Sequence, residues 1–184
     1  MCNETSTPSR RTVSKPPLAP AITDNSDLRI LAISEFIALA RTHVYCLTIW
    51  GERDYAPSDV SETKSKIAKV LAAVARGVEL SRGEEAHATV MGDAIRLAFD
   101  TVPETRRELL LAAIRGTGPS NRPTMAEDVM RETLEDLRAL GLVEPCALNS
   151  DSPRNCVLTE RANSLLRTAG VIAFRDPSGM WSLE

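Results

Sequence analysis

The side chains of this 184-residue chain that could carry catalytic or metal chemistry are few. His43 and His87 have no neighbouring cysteine or carboxylate at the spacing of a metal site or a catalytic triad. The carboxylate pairs at residues 84–85 and 135–136 fall where acidic side chains are normally solvated. No G-x-x-x-x-G-K-[ST] loop that could hold a phosphate occurs. We therefore predict a protein that is not an enzyme, with no catalytic residue, no metal and no cofactor.

Two of the four cysteines suggest a reversible disulfide. Cys146 and Cys156 flank a polar turn, and they would face each other if a hairpin paired Leu148 with Arg154. Cross-strand β-carbons then lie within about 5.5 Å of each other, and such a bond would make the segment redox-sensitive. The alternative is a pair of reduced thiols, because cytosolic thiols are normally reduced and free cysteine often serves as a small core residue.

The residues before this turn predict a helix over 124–140. Thr124 and Glu127 have the spacing of a capping box, in which each side chain binds the other residue's amide. Gly141 suits the left-handed position just past a helix end. Apolar residues recur between them at steps of three and four, which is typical of one buried helix face. They are Ala126, Met130, Leu134 and Leu137.

A hairpin and a closing helix are predicted next. Residues 142–148 are apolar enough for a strand, residues 149–153 have turn chemistry, and residues 156–158 can return antiparallel. Thr159 can cap the following helix, which Gly170 ends. The inward residues of that helix are Ala162, Leu165, Leu166 and Ala169.

Two runs in this segment carry a resemblance to a known family. They are LRALGLVE over residues 137–144 and LTERANSLL over residues 158–166. Together they resemble the recognition-helix end, wing and closing helix of winged helix-turn-helix regulators of the MarR-like type. With residues 103–115 as first helix, the resemblance covers about residues 101–169. Only residues 123–140 remain for the usual second helix, turn and recognition helix, so we expect that turn to be compressed or missing.

The resemblance implies a transcriptional regulator that contacts duplex DNA through the 124–140 helix and the wing. It maps the base-reading face to Arg131, Glu132, Thr133 and Glu135, and it places Arg154 at the wing tip. The implied DNA-binding residues are Arg122, Arg131, Thr133, Arg154 and Asn155.

Charge opposes this function, because phosphate neutralisation supplies most non-specific affinity for nucleic acid. Residues 101–184 contain 10 Lys and Arg against 12 Asp and Glu. A local basic patch could still form, since phosphate contacts need only one face. It would require convergence of Arg106, Arg107, Arg122, Arg131 and Arg154.

The middle of the chain is predicted to be helical. A first helix runs from about residue 26 to 47, although residues 44–50 are rich in β-formers and could instead form a strand. A second helix covers about 58–78 and a third about 89–99, followed by a second capping box at residues 101–104. The second helix carries a lysine group that is either a solvated face or a contact for a partner or phosphate. Its members are Lys64, Lys66 and Lys69.

Part of this middle region carries a second resemblance. Residues 75–83 and 97–103 are similar to the helical lid after the ATPase core in some AAA+ type proteins that end in a winged helix. Since no phosphate loop is present, the resemblance implies a detached lid plus winged-helix tail. The alternative function is then a protein-interaction adaptor that packs on a partner ATPase.

The expected fold class is mainly α with a small β-hairpin, a helical N-terminal region preceding a winged-helix domain. Residues 1–25 are rich in Ser, Thr and Pro and predict a flexible tail. Residues 26–100 form the helical region, lid-like or dimerising, residues 101–170 the winged-helix domain, and residues 171–184 a C-terminal hairpin or tail. No apolar run approaches the roughly 18 residues of a membrane span, and no signal peptide is evident. We therefore expect a cytoplasmic protein without a membrane contact.

The possible partners are duplex DNA, an ATPase, or a second copy bound through the N-terminal helices. A basic face on the folded module would favour DNA. An acidic or apolar face over the 124–140 helix would favour a protein partner.

Overall fold

The computed structural model describes residues 24–49, 52–58, 63–82, 87–116, 126–145 and 156–171. Within these ranges the protein is mainly helical with small antiparallel hairpins, which confirms the predicted fold class. Of the predicted tails, residues 1–23 and 172–184 lie outside the described residues, whereas Asp24 and Asn25 already belong to the first helix. The site residues Arg122, Arg154 and Asn155 also lie outside the described residues. The helices are α1 (Asp24–Arg41), α2 (Lys64–Arg82), α3 (His87–Asp100), α4 (Glu104–Arg115), α5 (Glu127–Ala139) and α6 (Glu160–Thr168). The strands are β1 (Val44–Ile49), β2 (Glu52–Pro57), β3 (Val143–Pro145) and β4 (Cys156–Leu158).

One hydrophobic core runs through all six described helices. Helix α1 contributes the fully buried Phe36, whose ring lies 5.8 Å from that of Phe99 in α3. Helix α1 also packs against α2 and α6, so the last described helix covers the first. The predicted boundary after residue 100 therefore falls inside continuous packing. Other large side chains that are fully buried are Ile33, Ile37, Leu109, Leu110, Leu137, Leu142 and Leu166.

The predicted helix, hairpin and helix after residue 126 are confirmed, with a well-defined end for α5. Gly141 has φ +66°, its amide donates to the Arg138 carbonyl, and the Leu142 amide donates to the Leu137 carbonyl. This bond pair is the Schellman ending, in which the left-handed residue is normally glycine. Thr159 caps α6, since its hydroxyl oxygen accepts from the Ala162 amide at 3.2 Å.

Both predicted capping boxes are wrong. Helix α5 begins at Glu127 with Ala126 at its N-cap and no side-chain cap, while Thr124 lies outside the described residues. Helix α4 begins after Pro103, whose carbonyl accepts from the Arg107 amide at 2.9 Å. The Thr101 hydroxyl instead donates to the Ala98 carbonyl at the end of α3, at 2.7 Å. The spacing of Thr101 and Glu104 fits a cap at the start of α4, and it does not reveal that the Thr101 hydroxyl binds the end of α3 instead.

The first predicted helix ends earlier than the apolar spacing suggested. Helix α1 stops at Arg41, and residues 44–49 form β1, as the β-former alternative predicted. An additional strand, β2, pairs with β1 in a hairpin that the sequence did not predict. The Ser58 amide closes this hairpin by donating to the His43 carbonyl at 2.7 Å, so Ser58 does not open the second helix. Helix α2 begins at Lys64 instead.

Among the described helices, none combines the length and the apolar character that crossing a membrane requires.

Candidate functional site on helix α5

Helix α5 presents one face to the core and the other to solvent. Met130, Leu134 and Leu137 are buried, as their spacing predicted. The opposite side carries charged residues and the exposed Val129. The helix as a whole contains five carboxylates and two arginines. We call its outward side the α5 acidic face, and it consists of Glu127, Asp128, Arg131, Glu132 and Glu135.

Thr133 does not belong to this face, and the expectation that it is exposed is wrong. Its side chain is 7% exposed, and its hydroxyl donates to the Val129 carbonyl one turn back at 2.7 Å. A threonine in a helix can satisfy its hydroxyl in this way while its methyl group packs inward. Thr133 therefore lies on the buried side together with Leu134 and Leu137.

The arginines on and beside the α5 acidic face are paired with its carboxylates. Arg131 lies 3.9 Å from Glu127 one turn away, and Arg138 pairs with Glu135. Arg53 of β2 lies 3.9 Å from Glu132, which links the first hairpin to α5. Each pair neutralises one charge of each sign, so the negative charge of α5 comes from its composition, five carboxylates against two arginines.

Arg106 of α4 is buried and has a structural position. Its Nη1 donates to the Ala40 carbonyl at 3.1 Å and to the Thr42 carbonyl at 2.6 Å, where α1 ends. Its Nη2 donates to the Asp136 carboxylate of α5 at 2.7 Å. A helix end leaves carbonyls without intrahelical partners, and a cation satisfies both their hydrogen bonding and the helix dipole.

The described arginines that a basic patch would need are each engaged with other groups of the chain. Arg106 is 8% exposed and Arg107 pairs with Asp100 at 3.1 Å, while Arg131 pairs within α5. The sequence did contain a signal for Arg106, because it precedes Leu109, Leu110 and Ala113 at the helical spacing of the buried α4 side. Arg122 and Arg154 lie outside the described residues.

A second cluster of charges joins the N-terminal and C-terminal helices. Glu35 of α1 accepts from Arg161 of α6 at 2.9 Å and from Lys64 of α2 at 3.1 Å. These two hydrogen bonds, Arg161 first, lower the pKa of the Glu35 carboxyl below its ordinary value of 4.5. Lys64, from the predicted lysine group, thus binds a residue of this chain.

The second hairpin brings Cys156 opposite Pro145, one residue away from the predicted register. The predicted disulfide required Cys156 to lie opposite Cys146, and the observed register contradicts that pairing. Cys146 itself lies outside the described residues. Burial raises the pKa of the Cys156 thiol, which lowers the fraction of reactive thiolate at neutral pH.

The described residues form no group of three or more His, Cys, Asp or Glu side chains that could hold a metal ion. His43 is exposed, and its ring lies 4.8 Å from that of Tyr45. The side chain of His87 is outside the described part of the chain.

No protein-family model matches the chain, and no curated protein or solved structure is significantly similar to it. The resemblance to winged-helix regulators rests on the residues quoted for it.

Proposed function

We propose that this protein is a protein-interaction adaptor whose winged-helix-like half presents the α5 acidic face to a partner with a basic surface. The observation that carries the proposal is the negative charge of α5, which contains five carboxylates against two arginines. Both of its arginines, Arg131 and Arg138, already lie against carboxylates of the same helix. A helix with surplus negative charge is repelled by duplex phosphates and attracted by basic protein surfaces.

The position of α5 suits such a contact. Its inner side is fixed by Leu134, Leu137 and the ion pair of Asp136 with Arg106. A face held rigidly loses little conformational entropy on binding, which favours affinity. Val129, 41% exposed, offers an apolar contact amid the charges.

Site-specific photo-crosslinking in the native cells tests this proposal. A photoreactive amino acid at Asp128, on the acidic face, is expected to capture a discrete protein partner. The same group at Leu80, 73% exposed on α2, is the matched control and is expected not to capture it. Charge reversal by Glu132→Lys should weaken the Asp128 crosslink. Equal capture from both positions, or none from Asp128, would contradict the adaptor function.

The second candidate function is binding of duplex DNA, which the element order α4, α5, β3, β4, α6 favours. Fluorescence anisotropy with a labelled random-sequence duplex at low salt tests it. If the duplex binds, alanine at Arg131 and Arg154 together should weaken binding, and each lost phosphate contact should reduce the salt slope by about one. Absence of binding by the parent protein at low salt rejects this candidate and leaves the adaptor proposal.

A further inference from the structure

In the first hairpin, β1–β2, the residue composition of β1 is unusual for a strand at the edge of a sheet. Strand β1 contains no charged residue and no proline, whereas β2 contains Glu52, Arg53, Asp54 and Pro57. Natural proteins normally protect free strand edges with charges or proline, because unpaired N–H and C=O groups recruit other strands. The β2 edge has this protection and the β1 edge lacks it.

The outer edge of β1 is unpaired within the described part of the chain. Strand β1 pairs with β2 alone, from Val44 opposite Pro57 to Ile49 opposite Glu52. Strand β2 also contacts α5. In an antiparallel ladder, alternate residues direct their backbone groups to each side. The side of β1 away from β2 therefore presents backbone donors and acceptors that no other described strand pairs with.

Residues 45–48 of β1 have exposed side chains, whereas Val44 at the start of the strand is buried. Tyr45 is 53% exposed and Leu47 is 49% exposed, and both lie on one face because side chains alternate along a strand. Cys46 and Thr48, on the other face, are exposed as well. An isolated two-stranded hairpin is marginally stable in water, and three or more strands are normally needed.

We propose that β1 pairs antiparallel with β1 of a second copy of this chain, which forms a four-stranded sheet across a twofold axis at Cys46. This register places Tyr45 of each copy opposite Leu47 of the other, an aromatic–aliphatic pair of the kind that stabilises sheets. It places the two Cys46 side chains opposite each other on the other face.

The chemistry of β1 favours a second copy over a different partner. A twofold axis brings every residue of the strand against the same strand, and no like charges meet because β1 has none. A charged peptide would find no complementary charge on β1. This dimer contact is separate from the α5 acidic face, and it differs from the dimer through N-terminal helices that the sequence suggested.

Sedimentation equilibrium of the full chain tests the dimer. We expect a reversible dimer whose dissociation constant rises at least about tenfold in Leu47→Lys, since a lysine on each copy would bring two charges into an apolar strip. The matched control is Leu28→Lys on α1, which is 58% exposed and should leave the dimer unchanged. A monomeric parent protein, or a dimer that only Leu28→Lys disrupts, would overturn the proposal.

A crosslink on the parent protein keeps the test independent of how the variants fold. Opposite β-carbons lie about 4.5–5.5 Å apart in a strand pair, so bismaleimidoethane should join Cys46 to Cys46. Mass spectrometry of the digested dimer identifies the linked peptides, and Cys46→Ser removes the product. A dimer with no Cys46–Cys46 link would overturn the proposed register and contact.

Discussion

Arg106 and Asp136 form an ion pair, 2.7 Å from Nη2 to Oδ2, that joins α4 to α5. The same guanidinium binds the carbonyls of Ala40 and Thr42 at the end of α1. Only 10% of the arginine side chain and 26% of the aspartate side chain are exposed. One side chain thus connects the region before residue 100 with the module that contains α5.

Replacing this arginine should destabilise the whole protein. Arg106→Met removes the cation while it keeps most of the apolar stem, so the Asp136 carboxylate and the carbonyls of Ala40 and Thr42 lose their partner. We expect a loss of about 3 kcal/mol in the free energy of unfolding, at the lower end for a broken buried pair because Asp136 is partly exposed. Urea unfolding followed by circular dichroism measures it.

The control for this change is Arg107→Met on the same helix. Asp100, the partner of Arg107, has 69% of its side chain exposed, and such a surface pair contributes less than about 1 kcal/mol. Similar losses in the two variants would show that Arg106 does not hold the helices together.

Two glycines separate the effect of backbone conformation from that of space. Gly141 has φ +66°, and a β-carbon there would meet no atom within 4 Å. Gly141→Ala should therefore cost about 1–2 kcal/mol through left-handed strain alone. At Gly92, inside α3, an added β-carbon would likewise meet no atom within 4 Å, but the backbone φ is not positive. Gly92→Ala should therefore stabilise the protein by about 0.5–1 kcal/mol.

Thermal unfolding of both glycine variants beside the parent protein measures these opposite changes. Gly141→Ala should melt below the parent and Gly92→Ala above it. A Gly141→Ala variant that melts at or above the temperature of the parent would contradict the left-handed strain at this position.

The sequence predicted those parts of the fold that depend on nearby residues. The buried side of α5, the Gly141 ending, the Thr159 cap and the β3–β4 hairpin each arise within a few positions of one another. The end of α1 was harder, because apolar residues continue at helical spacing to Leu47. The choice between helix and strand there was settled by pairing with β2, a partner that local patterns do not identify.

The candidate site was less predictable, since its charges are arranged by tertiary contacts. Arg106 was expected at a surface, but its hydrogen bonds go to Ala40 and Thr42, more than 60 positions earlier in the chain. Thr133 faces inward because it lies three residues after Met130 and four before Leu137 on the buried side of α5, and its hydroxyl is satisfied by the Val129 carbonyl. The β3–β4 register differs by one residue from the predicted one, which places Cys156 opposite Pro145 instead of Cys146.

The thiol of Cys156 should react slowly in the native protein. It is half-buried beside the core, and burial raises its pKa, so the reactive thiolate is scarce at neutral pH. Pulsed alkylation with iodoacetamide, mapped by mass spectrometry, should label Cys156 severalfold more slowly in buffer than in urea. Equal rates would show that β4 does not shield it.

Glu35 should make the stability of the protein depend on pH. Its two carboxylate oxygens bind Arg161 and Lys64, so the folded state favours the ionised form and the pKa is lowered. A group with a lowered folded pKa stabilises the protein above its ordinary value of 4.5, and this contribution is lost as the pH falls through the lowered pKa. Glu35→Gln should therefore be less stable than the parent at pH 7, by up to about 1 kcal/mol because the cluster is partly exposed.

The difference between the two proteins should stay constant above that ordinary value and shrink in more acidic solution. Urea unfolding over a series of pH values measures it directly. Glu132→Gln is the matched control, because Glu132 and Arg53 lie 3.9 Å apart and both side chains are more than 60% exposed. That variant should stay within about 0.5 kcal/mol of the parent protein at every pH. If the Glu35→Gln difference instead grew as the pH fell, the carboxylate would not be the form that ties α1 to α2 and α6.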